Sequence, residues 1–185
     1  MPSSLIRPVA AADIDAIAAI YRDEVLTGTA SYELIPPDAA EMRGRVEGLV
    51  GQGYPYLVIE TGGAVAGFAY AGPFRARPAY AWMAETSIYL APAARGRGEG
   101  TRLLSRLVET CEAGGFRQML AVIGGADNLG SIRLHARAGF RQTGVIAASG
   151  YKFGRWIDTV LMQRSVGPGA TDAPDPAAPP VPRRP

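Results

Sequence analysis

Between residues 81 and 111 the hydrophobic period of the chain changes once, and a glycine-rich hexapeptide sits at the change. Residues 81–90, AWMAETSIYL, alternate from side to side like a strand, which Pro92 ends. Leu103, Leu104, Leu107, Val108 and Cys111 then recur at spacings of three and four, the apolar stripe of a helix. "RGRGEG", residues 95–100, joins the two. A strand that turns through glycines straight into an amphipathic helix belongs to a layered α/β domain, neither a barrel nor a bundle.

The remaining segments repeat the same two periods. Leu5–Arg7 reads as a short strand. Asp13 is placed to cap a helix carrying Ile14, Ile17, Tyr21 and Val25. Asp38 and Glu41 start a second helix in the manner of a capping box, with Met42, Val46 and Leu49 inside. Strands over 56–60 and 64–71 meet across Thr61-Gly62-Gly63. Further on come a strand over 119–123, a helix opened by Asn128 and running through Ala138, and a last strand over 156–162. One more strand fits around 143–147. The order β-α-α-β-β-β-α-β-α-β predicts a mixed, twisted central sheet with helices on both faces.

A chain of 185 residues suits one such domain, placed at residues 4–164. Residues 165–185 hold seven prolines and almost no large apolar side chain, so they read as a disordered tail. A net charge of +2 with 19% charged residues gives no basic stripe for a nucleic acid or a membrane surface. The single cysteine, Cys111, excludes an intrachain disulfide and zinc clusters, and its apolar neighbours mark it as a core residue. With neither a signal-like N-terminus nor a spanning apolar run, the expected location is the cytoplasm.

What is the hexapeptide for? The first backbone N–H groups of a helix are unpaired and carry partial positive charge, and glycines let an anion approach them closely. A phosphate group fits there. A Walker loop would need a following lysine, and a dinucleotide fingerprint would follow a first strand. An arginine-glycine RNA tract would stand in a repetitive, unstructured region. None of the three matches.

The pattern R-x-x-G-x-G from Arg95 to Gly100 resembles the pyrophosphate loop of the GNAT family of N-acetyltransferases. "ADNLGSIRLHARAGF", residues 126–140, is similar to the family's later segment, with Asn128, Ser131, His135, Gly139 and Phe140 matching. Over residues 5–163, "AIYRDEVLTGTASYE", "AGPFRARPAY", "ETSIYLAPAARGRGEGTRLL" and "GYKFGRWIDTVLMQ" resemble the phosphinothricin and methionine sulfoximine acetyltransferase branch. The resemblance implies the GNAT fold, acetyl-CoA as co-substrate, no metal, a small amino-acid acceptor and a homodimer. It implies a cofactor site of Ile88, Tyr89, Leu90, Arg95, Gly96, Arg97, Gly98, Glu99, Gly100, Thr101, Asn128 and Ser131. Glu99 departs from the usual aliphatic residue, and a carboxylate beside a diphosphate is expected to weaken binding unless it points to solvent.

Acetyl transfer to an amine requires removal of a proton, and Glu85, on the strand that leads into the loop, is the candidate base, where the resemblance also places the family's catalytic glutamate. Strand alternation puts Glu85, Ser87 and Tyr89 on one face. A backbone N–H near Ile88 is the expected donor to the developing oxyanion. Arg75 and Arg77 flank Ala76 and, if extended, form a fork for a carboxylate or phosphinate; the resemblance places this R-x-R, with Thr86 and Ser87, at the substrate site. Tyr32 and Tyr80 are candidate aromatic walls, though core packing explains them equally. Asn128 is open to two readings, cofactor ligand or plain N-cap. His135, the only histidine, reads from its helix position as a core residue, while the resemblance gives it a part in proton handling. Other outcomes remain open: acetylation of another small amine or a protein N-terminus, or a non-catalytic acyl-CoA-binding module.

Overall fold

The computed structural model describes residues 4–181; the last four residues of the expected tail lie outside them. Strands β1 (Ser4–Pro8), β2 (Tyr56–Thr61), β3 (Ala64–Pro73), β4 (Met83–Leu90), β5 (Gln118–Gly124), β6 (Arg141–Lys152) and β7 (Arg155–Ser165) form one sheet. Helices α1 (Ile14–Thr27), α2 (Ala39–Gly51), α3 (Glu99–Ala113) and α4 (Leu129–Arg137) complete the domain. The strand order is β1-β2-β3-β4-β5-β7-β6, antiparallel throughout except for the parallel pair β4–β5.

Two apolar cores explain the layering. On one face Ile14, Ile17 and Val25 of α1 and Met42 and Val46 of α2 pack on Tyr56, Val58 and Phe68. On the other, the fully buried Leu103, Leu104 and Leu107 of α3 lie over Leu57, Ile59, Ala69 and Ala84. The alanines of the sheet make room for the leucines of the helix. Burying each such leucine stabilises the fold by roughly 1.5–3 kcal/mol. Helices thus cover both faces of a mixed sheet, as the sequence pattern predicts. Among the described residues no helix is long and apolar enough to cross a membrane.

Three local expectations are adjusted. Asp38 accepts the Glu41 N–H (2.8 Å) and caps α2, but Asp13 does not cap α1 through its side chain. Its carboxylate instead takes the Ala10 N–H (2.7 Å) and both terminal nitrogens of Arg7, closing a 3-10 turn ahead of the helix. Strand β4 begins at Met83, because Pro78–Tyr80 form another 3-10 turn. β6 spans twelve residues where a short strand was expected; register shifts at Gln142/Gly144 and Ile146/Gly150 break its alternation and hide it. Beyond β7, residues 166–181 form no helix or strand, yet Val166 is buried, Asp172 pairs with Arg117 (2.6 Å) and Val181 packs against the α3 core.

Candidate active site

Strands β4 and β5 pair only over Met83–Thr86 and Gln118–Ala121. Beyond that point they part, and Ser87–Leu90 keep β3 on one side and no strand on the other. A cleft of about 790 Å3 opens at this divergence. Ile88, Tyr89 and Leu90 of β4 line it, together with Asn128, Ser131 and Leu134 of the α4 region; the hexapeptide loop and the loop after α1, Gly28–Ala30, supply two of its walls.

The hexapeptide presents bare backbone to this cleft. Gly96 and Gly98 have φ of 74° and 83°, a region that favours glycine. A Cβ built at either meets nothing within 4 Å, so the surface above their amides is open. Gly98 is the N-cap of α3 and no side chain caps the helix, which leaves first-turn N–H groups unpaired and facing an anion-sized space. Gly100 is glycine for a different reason: its Cβ would stand 3.0 Å from Leu90 and 3.4 Å from Leu134, where α3 presses against β4 and α4. Arg95 is held by the Leu90 carbonyl (3.1 Å) and by Glu24 (3.4 Å).

Of the residues assigned to a cofactor, Ile88, Tyr89, Leu90, Arg95, Gly96, Gly98, Gly100, Thr101, Asn128 and Ser131 line the cleft together. Arg97 and Glu99 do not. Glu99 is nearly buried and turns to Arg102 (3.4 Å), which also donates to the Ser4 carbonyl of β1. Asn128 uses its side-chain oxygen to accept the Ser131 N–H (3.2 Å), the N-cap geometry.

The residues expected at an acceptor site do not line this cleft. Glu85 is half-buried on β4 opposite Gly72 of β3, on the same face as Ser87 and Tyr89. Burial pushes its carboxyl above the usual range, and the nearby Arg75 guanidinium partly opposes the shift. Tyr70 of β3 stands opposite Ser87 in the strand register. Arg75 and Arg77 stay exposed on the β3–β4 loop, with Arg75 stacked on Phe74 (5.3 Å). Thr86 points to the opposite face and is buried. Tyr32 is a strut: its hydroxyl donates to the Asp158 carbonyl (3.0 Å) and lies 2.8 Å from Thr159. His135 is buried away from the cleft; Nδ1 meets the Ser131 carbonyl (2.9 Å), the ring packs edge-on against Phe140, and burial lowers its pKa.

Two features escaped the sequence. Lys152 of β6 is buried and donates to the Gly28 (2.9 Å) and Ser31 (2.8 Å) carbonyls, so it fixes the wall after α1. It is the only lysine in a chain whose other cationic side chains are arginines, a signal in plain view. Glu24 completes that wall by accepting the Ala30 N–H (3.0 Å) while holding Arg95.

Residues 17–140 match the acetyltransferase (GNAT) family. The chain is 49% identical, over 92% of its length and 86% of the relative's, to a phosphinothricin N-acetyltransferase of Alcaligenes faecalis. It is 38% identical to an L-methionine sulfoximine/L-methionine sulfone acetyltransferase of Pseudomonas aeruginosa, over 90% and 96% of the two chains. The crystal structure of a phosphinothricin acetyltransferase from Sinorhizobium meliloti in complex with acetyl-CoA superposes with a TM-score of 0.90 at 50% identity, covering 93% of each chain.

Proposed function

The chain belongs to the GNAT acetyltransferase family, and from that premise we propose that it transfers acetyl from acetyl-CoA to the α-amine of a small amino acid of the phosphinothricin or methionine sulfoximine type. One observation carries the reading: a half-buried glutamate with a raised pKa stands on the strand whose far end opens into the anion-ready cleft.

Acetyl-CoA supplies an acetyl group activated as a thioester. The residues that fit it are the open amides at Gly96–Thr101 for the diphosphate and, for the amide-bearing arm held as an added strand, the edge of Ser87–Leu90 that faces no strand. In this proposal Glu85 takes the proton from the acceptor amine, its raised pKa bringing it closer to the working pH. The Ile88 N–H stabilises charge developing on the carbonyl oxygen, a term worth about 3 kcal/mol when well aimed. Arg75 and Arg77 engage the acceptor's carboxylate and anionic side group. Attack is direct: Cys111 is fully buried on the inner face of α3 and burial pushes its thiol up to about 12, so no thiolate is available to carry an acyl group. Tyr151, Trp156, Val145 and Ile146 stay exposed on the β6–β7 hairpin, and we assign this face to the contact with a second copy in a homodimer.

The test is thiol release from acetyl-CoA across phosphinothricin, methionine sulfoximine, methionine sulfone, ordinary amino acids, polyamines and short peptides. Turnover concentrated on the first three supports the acceptor class. Turnover on peptides alone would move the acceptor to a protein N-terminus. Binding of acetyl-CoA without turnover on any of them would sink the acceptor assignment.

A further inference from the structure

Six charged side chains line the cleft, and four of them cancel. Arg95 pairs with Glu24 (3.4 Å) and Arg155 with Asp127 (2.9 Å). Arg133 and Arg137 remain, and among the described residues neither makes an ion pair or a side-chain hydrogen bond. They stand four residues apart on α4, hence on one face, and like charges so placed repel. Arg137, in the helix's last turn, gains from the dipole there; Arg133, in the middle, has no such compensation. Between them in sequence Leu134 packs over Gly100, which brings this face of α4 against the start of α3 where the open amides lie. The cleft therefore offers two anion sites: a backbone cradle, and beside it a pair of free guanidinium groups.

We propose that Arg133 and Arg137 form the site for the 3′-phosphate of coenzyme A, and so make the protein select acetyl-CoA over its 3′-dephospho form. This rests on the acetyl-CoA reading above. A phosphate monoester carries nearly two charges at neutral pH and several acceptor oxygens, which suits two guanidinium donors and removes their mutual repulsion. The diphosphate leaves from the same ribose, so one ligand can engage both sites at once. The backbone cradle, which binds only what both cofactors share, provides no such selection.

The experiment compares acetyl-CoA with 3′-dephospho-acetyl-CoA by kcat/KM and by calorimetric binding, in the natural protein, in R133Q/R137Q and in R97Q. The natural protein is expected to favour acetyl-CoA by about tenfold, the size of two partly exposed charged contacts. The double variant is expected to treat the two within about twofold, and R97Q to keep the preference. Equal use of both cofactors by the natural protein overturns the proposal. So does a preference that survives in R133Q/R137Q, or one lost in R97Q instead. A distorted cleft would weaken both cofactors alike and leave their ratio intact, which also counts against it. If the natural protein binds neither cofactor, the acetyl-CoA reading itself has failed.

Discussion

Two loops line the cleft, and they are built by opposite means. The loop at 95–100 is made of its own backbone: positive-φ glycines, an uncapped helix start and a neighbouring strand, all within a dozen residues. The loop at 28–33 has none of these. It is tied to distant parts of the chain through side chains: Lys152 on its Gly28 and Ser31 carbonyls, its own Tyr32 on Asp158 and Thr159, and its own Thr29 donating to the Gly124 carbonyl (3.2 Å). Gly124 and Gly150 are glycines because the loop lies on them; a Cβ at Gly150 would stand 2.9 Å from the Tyr32 ring. A backbone cradle suits a ligand recognised by charge alone. A wall hung on distant tethers is positioned relative to the sheet instead.

The largest test of this division concerns the chemistry rather than either loop. Glu85→Gln is expected to lower kcat by roughly 10²–10⁴-fold while acetyl-CoA binding survives, since the cradle does not involve that residue. Activity of the natural protein should fall as pH drops through the raised pKa of Glu85, and this limb should vanish in the variant. The stability sign is the reverse of the usual carboxylate case. A folded pKa above the unfolded one contributes stability that is present below the unfolded value and lost as pH rises through the folded one. At neutral pH Glu85 is therefore a liability, and the urea midpoint of the variant should be unchanged or higher. A lost cofactor affinity or a lowered midpoint would tell against the base assignment.

Next in size is Lys152→Met, which breaks the tethered wall alone. The methionine fills the space but leaves the Gly28 and Ser31 carbonyls without their donor, a cost of about 1–3 kcal/mol by urea unfolding. Because Gly28–Ala30 line the cleft, KM for both substrates should rise. Lys152→Arg is expected to rescue little: a compact ammonium reaches two carbonyls in a buried site where a planar guanidinium is too wide. Full rescue by arginine would mean that charge, not shape, holds the wall.

This contrast also decides what could be read from the sequence. The hexapeptide, the α3 stripe and Asn128 with Ser131 were legible because each is a local pattern whose geometry follows from neighbours in the chain. Ten of the twelve residues assigned to the cofactor do converge on one cleft. Tyr32 gave no local sign of being a strut, because its partners are 126 and 127 residues away. Lys152 stands out as the only lysine, but what it holds lies 124 and 121 residues away. The length of β6 is hidden because two register shifts disrupt the alternation on which strand reading depends. The direction Glu99 takes was hidden too, since its partner Arg102 is steered by the distant strand β1.

Gly98→Ala breaks the other wall. At φ 83° a Cβ costs about 1 kcal/mol of backbone strain, although no neighbour obstructs it. If the residue relaxes toward negative φ, the amides turn away from the anion site, so acetyl-CoA binding should weaken several-fold with the acceptor KM little changed. That is the mirror of Lys152→Met, which moves both. Equal effects of Gly98→Ala on both substrates would mean the two walls are coupled, for which the Arg95–Glu24 contact is the available link.

The smallest effect is expected at Glu99, where sequence and structure pull apart. A carboxylate beside a diphosphate should repel it, and neutralising that charge should then tighten binding and flatten its salt dependence. The side chain instead turns from the cleft to Arg102 and stands in the first turn of α3, where a negative charge is favourable. Glu99→Gln is therefore expected to leave acetyl-CoA affinity within about twofold and to cost less than about 1 kcal/mol of stability, through the lost ion pair and dipole contact. Tighter binding in the variant, strongest at low salt, would show that the diphosphate feels Glu99 despite its orientation. The backbone cradle would then be working against a charge of its own chain.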